Sequence, residues 1–197
     1  MLSLILDLIG LLNLSVFFGS MFFFFAGYAL APMIYSKKIS WLLVYPMWIA
    51  DKIELWMEKK WRPVLLFLFI LSMNSISLGI DFISGFVPFL PVFFAVWTGL
   101  NIGVIAFHTL KGRFYFASLL NPVALLELPA AFIVFTMAFQ YNIKLLNIKF
   151  DGFQAHSFSE YFLIFLMIVL PLLIAASLLE TWLIFLHKKM ENNEQHK

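Results

Sequence analysis

The sequence predicts an all-α protein, a multi-pass transmembrane helical bundle of about five spans with one amphipathic helix on the cytoplasmic surface. Three observations predict it. Residues of the AVILMFWYC set make up 63% of the 197 and charged residues only 12%, and the mean hydropathy of +0.96 lies far above that of a water-soluble domain. The apolar residues gather in runs close to the roughly 20 residues that a helix needs to cross the hydrocarbon core. The basic residues gather between those runs, mostly on one side.

The first run covers 1–35 with Asp7 as its one charge. It lacks a basic leader and is too long for a cleaved signal peptide, so it reads as a retained span. Further runs cover 63–85, 86–108, 119–140 and 161–186. Between the second and third, Gly85, Pro88 and Pro91 leave two readings open: a loop, or a broken or re-entrant helix. Residues 1–187 then form a single transmembrane domain and 188–197 a polar tail, expected to be disordered from Met190 onward. Too few residues remain outside the spans for a separate soluble enzyme, so function is expected in the membrane or at its surface. The absence of Cys excludes disulfides, thiolate nucleophiles and Cys-ligated zinc or iron–sulfur centres.

Five spans place successive loops on alternating sides. Lys37, Lys38, Lys52, Lys59, Lys60, Arg62, Lys111, Arg113, Lys188, Lys189 and Lys197 fall on one side, and Lys144 and Lys149 on the other. This imbalance predicts a plasma-membrane protein with its amino terminus outside and its carboxyl terminus in the cytoplasm.

The segment 41–62 carries four of the six Trp, interleaved with charges. At about 100° per residue, Asp51, Lys52, Glu54, Glu58, Lys59 and Arg62 share one face, and Ile49, Ala50, Ile53, Trp56 and Met57 the opposite one. That pattern describes an interfacial helix, with Trp48, Lys52, Trp56, Lys59, Lys60 and Arg62 at the membrane surface. Two roles fit it: anchoring the bundle among headgroups, or docking another membrane or transporter subunit.

Ala95, Gly99 and Gly103 recur every four residues, and Gly27 with Ala31 and Ser75 with Gly79 repeat the spacing. Small residues so placed let helix backbones approach closely, chiefly within one chain that must pack five spans.

Glu127 in the fourth predicted span and Glu180 in the fifth place carboxylates inside apolar runs. An ionisable group in hydrocarbon costs several kcal/mol if charged and unpaired, which makes it a candidate for function. Glu127 is eight residues past Leu119 and Glu180 eight before Lys188, so at about 1.5 Å per residue both are expected about 12 Å inside the cytoplasmic boundary. Asn74 and Asn101 occupy a similar level. A buried polar cluster is therefore expected, with the amides donating to a carboxylate and one carboxyl protonated. Pro129 is expected to bend the fourth span beside Glu127, and Pro171 to bend the fifth. The cluster could be structural, fixing helix register by hydrogen bonds. It could equally relay protons or ions, or act as an acid and base on a peptide bond.

No His-Glu-x-x-His, Walker loop, G-x-S-x-G or paired-Asp motif occurs. His108 and His187 sit at span ends, and His156 and His196 in a loop and the tail. No metal ligand set and no cofactor are implied, and the basic surface is explained by topology without nucleic acid.

The stretch Pro122-Val123-Ala124-Leu125-Leu126-Glu127-Leu128-Pro129-Ala130 resembles the Pro-His-Gly-hydrophobic-hydrophobic-Glu-Leu-Pro-Ala motif of the stage II sporulation protein M family. Leu172-Leu173-Ile174-Ala175-Ala176-Ser177-Leu178-Leu179-Glu180 is similar to that family's final helix with its own Glu, and the Asn74 region and Thr98-Gly99-Leu100-Asn101-Ile102-Gly103 fit more loosely. Where the family has His-Gly this chain has Val123-Ala124. The resemblance covers roughly residues 70–185. It implies a multi-pass partner protein: a scaffold for cell-wall remodelling in engulfment, or a subunit for maturation or export of a hydrophobic, circular-bacteriocin-like peptide. From the residues alone, a small proton-coupled transporter is a third reading. A reporter fused after Lys197 is expected to be active only on the cytoplasmic side, and activity on the outer side would overturn the span count.

Overall fold

A computed structural model describes residues 2–59, 61–113, 115–148, 153–154 and 156–195. Lys60, Lys149 and Lys197 lie outside the described residues, as do the side chains of Ile53, Glu54, Met57 and Glu58. Eight α-helices are described: α1 (Leu2–Gly10), α2 (Leu14–Ser36), α3 (Ser40–Glu58), α4 (Pro63–Ile83), α5 (Leu90–Thr109), α6 (Ala124–Leu145), α7 (Phe158–Ile164) and α8 (Leu170–Gln195). No strand occurs among the described residues. Five segments are long and apolar enough to cross a membrane: α2, Pro63–Phe86, α5, α6, and the continuous stretch Phe158–Met190.

The least apolar of the five, α6, is also the most buried. A helix surrounded by protein needs no lipid-facing surface, so it can turn polar side chains inward. Gln140 and Asn142 use that freedom to hold the two breaks in the apolar sequence. Gln140 Nε2 donates to the Leu11 carbonyl at 3.1 Å, and its Oε1 accepts from the Asn13 N–H at 3.2 Å. This secures an interruption at 11–13 that divides the run read as one span into α1 and α2. Asn13 also caps α2, its side chain accepting from the Val16 N–H at 3.1 Å.

Asn142 resolves the 81–91 region. Its Nδ2 donates to the carbonyls of Gly85 (3.2 Å) and Val87 (2.7 Å), and its Oδ1 accepts from the Phe89 N–H at 3.1 Å. The chain turns there through a 3-10 segment, Ser84–Phe86, and a left-handed Phe89 (φ 63) before α5 begins. Two separate spans meet at a tight turn. A Cβ at Gly85 would press on the Ala138 backbone at 2.9 Å, which is why that turn lies so close to α6.

Ala95, Gly99 and Gly103 of α5 lie along α2. A Cβ at Gly99 would collide with the Phe24 carbonyl, one at Gly27 with the Val96 carbonyl, and one at Gly103 with Ala31 and the Tyr115 hydroxyl. The two helices run parallel at backbone contact.

Several boundaries differ from the sequence expectation. The fourth span starts at Ala124, five residues later than Leu119, because 115–120 forms a 3-10 segment and a turn follows in which the Asn121 side chain accepts from the Ala124 N–H at 2.8 Å. α6 continues as one helix through Pro129, whose ring is exposed in its second turn. Before Pro171 the fifth span passes into a π-helical segment, Phe165–Val169; proline lacks an N–H and its ring crowds the carbonyl four residues back, and the wider π register relieves both. The tail expected to be disordered continues α8 to Gln195.

Gly79 has nothing within 4 Å of an added Cβ, which makes it a matched control for Gly99. Gly99→Ala is expected to destabilise the bundle by about 1–3 kcal/mol, and Gly79→Ala to be neutral or to stabilise it by up to about 1 kcal/mol, read by thermal unfolding in detergent.

Candidate functional site

The site is built where four helices and one connector converge. α4 contributes Asn74 and Leu78, α5 Ile102 and Ile105, the 110–123 connector Ser118 and Asn121, α6 Glu127 and Leu128, and α8 Leu173 and Glu180. Together they enclose a cavity of about 620 Å³, within the range of about 300–1,000 Å³ typical of ligand sites.

The connector is clamped against α2. The Tyr28 hydroxyl donates to the Tyr115 carbonyl at 2.8 Å, and the Tyr115 hydroxyl donates to the Tyr28 carbonyl. Their rings stack with centroids 4.4 Å apart. The Tyr28 hydroxyl also lies 2.9 Å from that of Ser118, which lines the cavity, and nothing in the local sequence around either Tyr announces the pair.

Asn74 Nδ2 donates to Glu127 Oε1 at 2.6 Å. Glu127 and Glu180 line the same cavity and lie within electrostatic reach of one another. No Lys, Arg or His is among the described residues that line it. Because α6 begins at Ala124, Glu127 lies in the first turn of its helix rather than two turns deep.

Asn101 and Ser177 stay apart from this group. Asn101 is buried in α5, but its Nδ2 donates to the Trp97 carbonyl of its own helix at 2.7 Å, and its Oδ1 has no hydrogen-bond partner among the described residues. Ser177 is fully buried one turn before Glu180, and its hydroxyl has no hydrogen-bond partner among the described residues. Neither lines the cavity. Pro129 projects outward from α6.

The surface set forms a second, shallower group. The Lys52 ammonium sits 5.9 Å from the centre of the Trp48 ring. Trp56 packs edge-on against Phe69 of α4 at 4.8 Å. Lys188 at the end of α8 donates to the Lys59 carbonyl at 3.1 Å, tying the far end of α3 to the bundle, while Arg62 is exposed in the extended entry to α4.

One ionisable residue escaped the sequence reading. Asp81, in the last turn of α4, is 4% exposed, and its Oδ2 has no hydrogen-bond partner among the described residues. It falls inside the predicted run 63–85, close to the break marked by Gly85 and Pro88. Its spacing of seven from Asn74 was the available signal, since residues at that interval share a helix face.

Five apolar spans around an acidic cavity with mostly apolar walls define a multi-pass integral membrane protein. The chain belongs to the stage II sporulation protein M family, whose model matches residues 14–183 and so takes in α2 and α3 as well as the motif around Glu127. No curated protein and no solved structure matches it.

The Asn74–Glu127 contact predicts energetic coupling. In a double-mutant cycle of Asn74→Leu with Glu127→Leu, a coupling of about 1–3 kcal/mol in unfolding free energy is expected; additive effects would contradict the contact.

Proposed function

We propose that the protein is an integral membrane subunit of a complex that matures or exports a hydrophobic, circular-bacteriocin-like peptide. The observation that carries this reading is the cavity: two carboxyls from different spans, one of them held by Asn74, set in a largely apolar wall. Such a lining suits an apolar chain with a few polar groups. The family resemblance supplies the context, since members are implicated in handling such peptides.

The shape of the molecule favours this over an outer scaffold. On the side opposite the α3 helix, α4 passes into α5 through a tight turn, and the one longer connection runs from Leu145 to Phe158. A stable interface with a soluble hydrolase needs about 800 Å² per partner, which a single short connection supplies poorly. The α3 helix, with Trp41 and Trp48 exposed, offers a place for further membrane or transporter subunits on the other side. In this role the carboxyls orient the peptide and hold the bundle, without a covalent step.

Glu127→Gln and Glu180→Gln test it when assembly and peptide output are measured separately. Membrane levels of the subunit near wild type with mature peptide reduced about tenfold or more are expected, as for loss of a charged hydrogen bond worth about 1.5–3 kcal/mol. Full output from both variants would overturn the reading.

A further inference from the structure

The cavity opens sideways. Ser77 of α4 and Ile102 of α5 both line it and both are exposed. α5 lies along α2, whereas α4 packs on α6 and α8 and touches α5 at few points. The gap between α4 and α5 is therefore the mouth. It lies within two membrane-spanning segments, Pro63–Phe86 and Leu90–Thr109, and so faces lipid.

Among the described residues the interior holds no counter-charge. Glu127 receives one side-chain hydrogen bond, from Asn74 on a single oxygen. Glu180 receives none from the described residues, and no described cation lines the cavity with them. Acceptors without a donor in a low-dielectric site favour a ligand that brings its own positive charge. A primary ammonium has three donors, enough in number to serve both carboxyls. The rest of the ligand must be apolar to lie against Leu78, Ile102, Ile105 and Leu128.

We infer that the cleft admits, through the α4–α5 gap, an apolar peptide segment bearing one primary ammonium, from a lysine side chain or a free amino terminus, and seats that ammonium between Glu127 and Glu180. The inference rests on the peptide-handling role and names the chemistry that role recognises. A neutral or anionic chain of the same length lacks the matching group and binds more weakly.

The chain has no Cys, so Ile102→Cys provides a single site for a nitroxide at the mouth. The labelled protein is placed in phosphatidylcholine nanodiscs and titrated with decylamine, decanol and decanoate. The label is expected to be more accessible to oxygen than to an aqueous nickel chelate. Decylamine is expected to immobilise it at about tenfold lower concentration than decanol, the gain of about one charge-assisted hydrogen bond, and decanoate to act more weakly than either. In the Ile102→Cys, Glu180→Gln protein the preference for the amine over the alcohol should disappear.

Equal action of amine and alcohol, retention of the preference without Glu180, greater access to the chelate, or no response to any probe would each overturn the inference. The three probes are compared on protein that keeps both carboxyls, so the test decides even if the Gln variant does not fold. Failure here with peptide output still dependent on Glu127 and Glu180 would leave the maturation role standing. Full peptide output from both Gln variants would remove that role itself.

Discussion

Inside a bilayer there is no water to satisfy a peptide group, so every interruption of a helix must find its hydrogen-bond partners in the protein. This chain interrupts its apolar runs at 11–13 and at 84–89, and α6 answers both. Gln140 satisfies groups at Leu11 and Asn13, and Asn142 satisfies groups at Gly85, Val87 and Phe89. These side chains are tolerated because α6 is enclosed by the other helices. Enclosure and polarity support each other: a lipid-exposed helix would not keep two amides, and without the amides the turns that wrap it would hold unsatisfied backbone.

The cavity follows from how the remaining helices are committed. Gly27, Gly99 and Gly103 bring α5 to backbone contact with α2, and the Tyr28–Tyr115 pair fastens the following connector to the same helix. α4 is drawn the other way, against α6 and α8. Two helices that share a tight turn thus diverge below it, and the space between them is lined by Glu127 and Glu180. A void of this size in a bundle otherwise packed through glycine and alanine is the feature that needs a functional account, since tight interiors leave few gaps larger than a water molecule.

Acidic groups are distributed along the molecule in a graded way. Glu127 and Glu180 share the cavity near the end that carries α3, while Asp81 is buried near the 84–89 turn at the other end. The stretch of α4 between them bears Asn74, Ser77 and Asp81 at helical spacing. α4 is therefore the helix that meets both ends of the polar interior, and it is also the least buried of the five spans.

By itself the sequence determined the helical class, the number of apolar spans, the family and the residue types suited to close helix contact. All of these are properties of composition and of periodicity along one chain. It also marked Glu127, Glu180 and Asn74, because a polar residue inside an apolar run stands out without any partner being known. What only the tertiary structure decided were the facts that need two segments at once. Which amide meets which carboxyl is one: Asn74 bonds Glu127 and Asn101 its own helix, though their spacing from the span ends is alike. Another is the burial of Asp81, beside a turn that Asn142, far along the chain, holds by bonds to Gly85, Val87 and Phe89. The late start of α6 depends on the turn at Asn121 and a connector pinned by a tyrosine of α2. Hydropathy records how each residue partitions from water, whereas these contacts depend on helix rotation and register, which the packing of neighbouring helices sets.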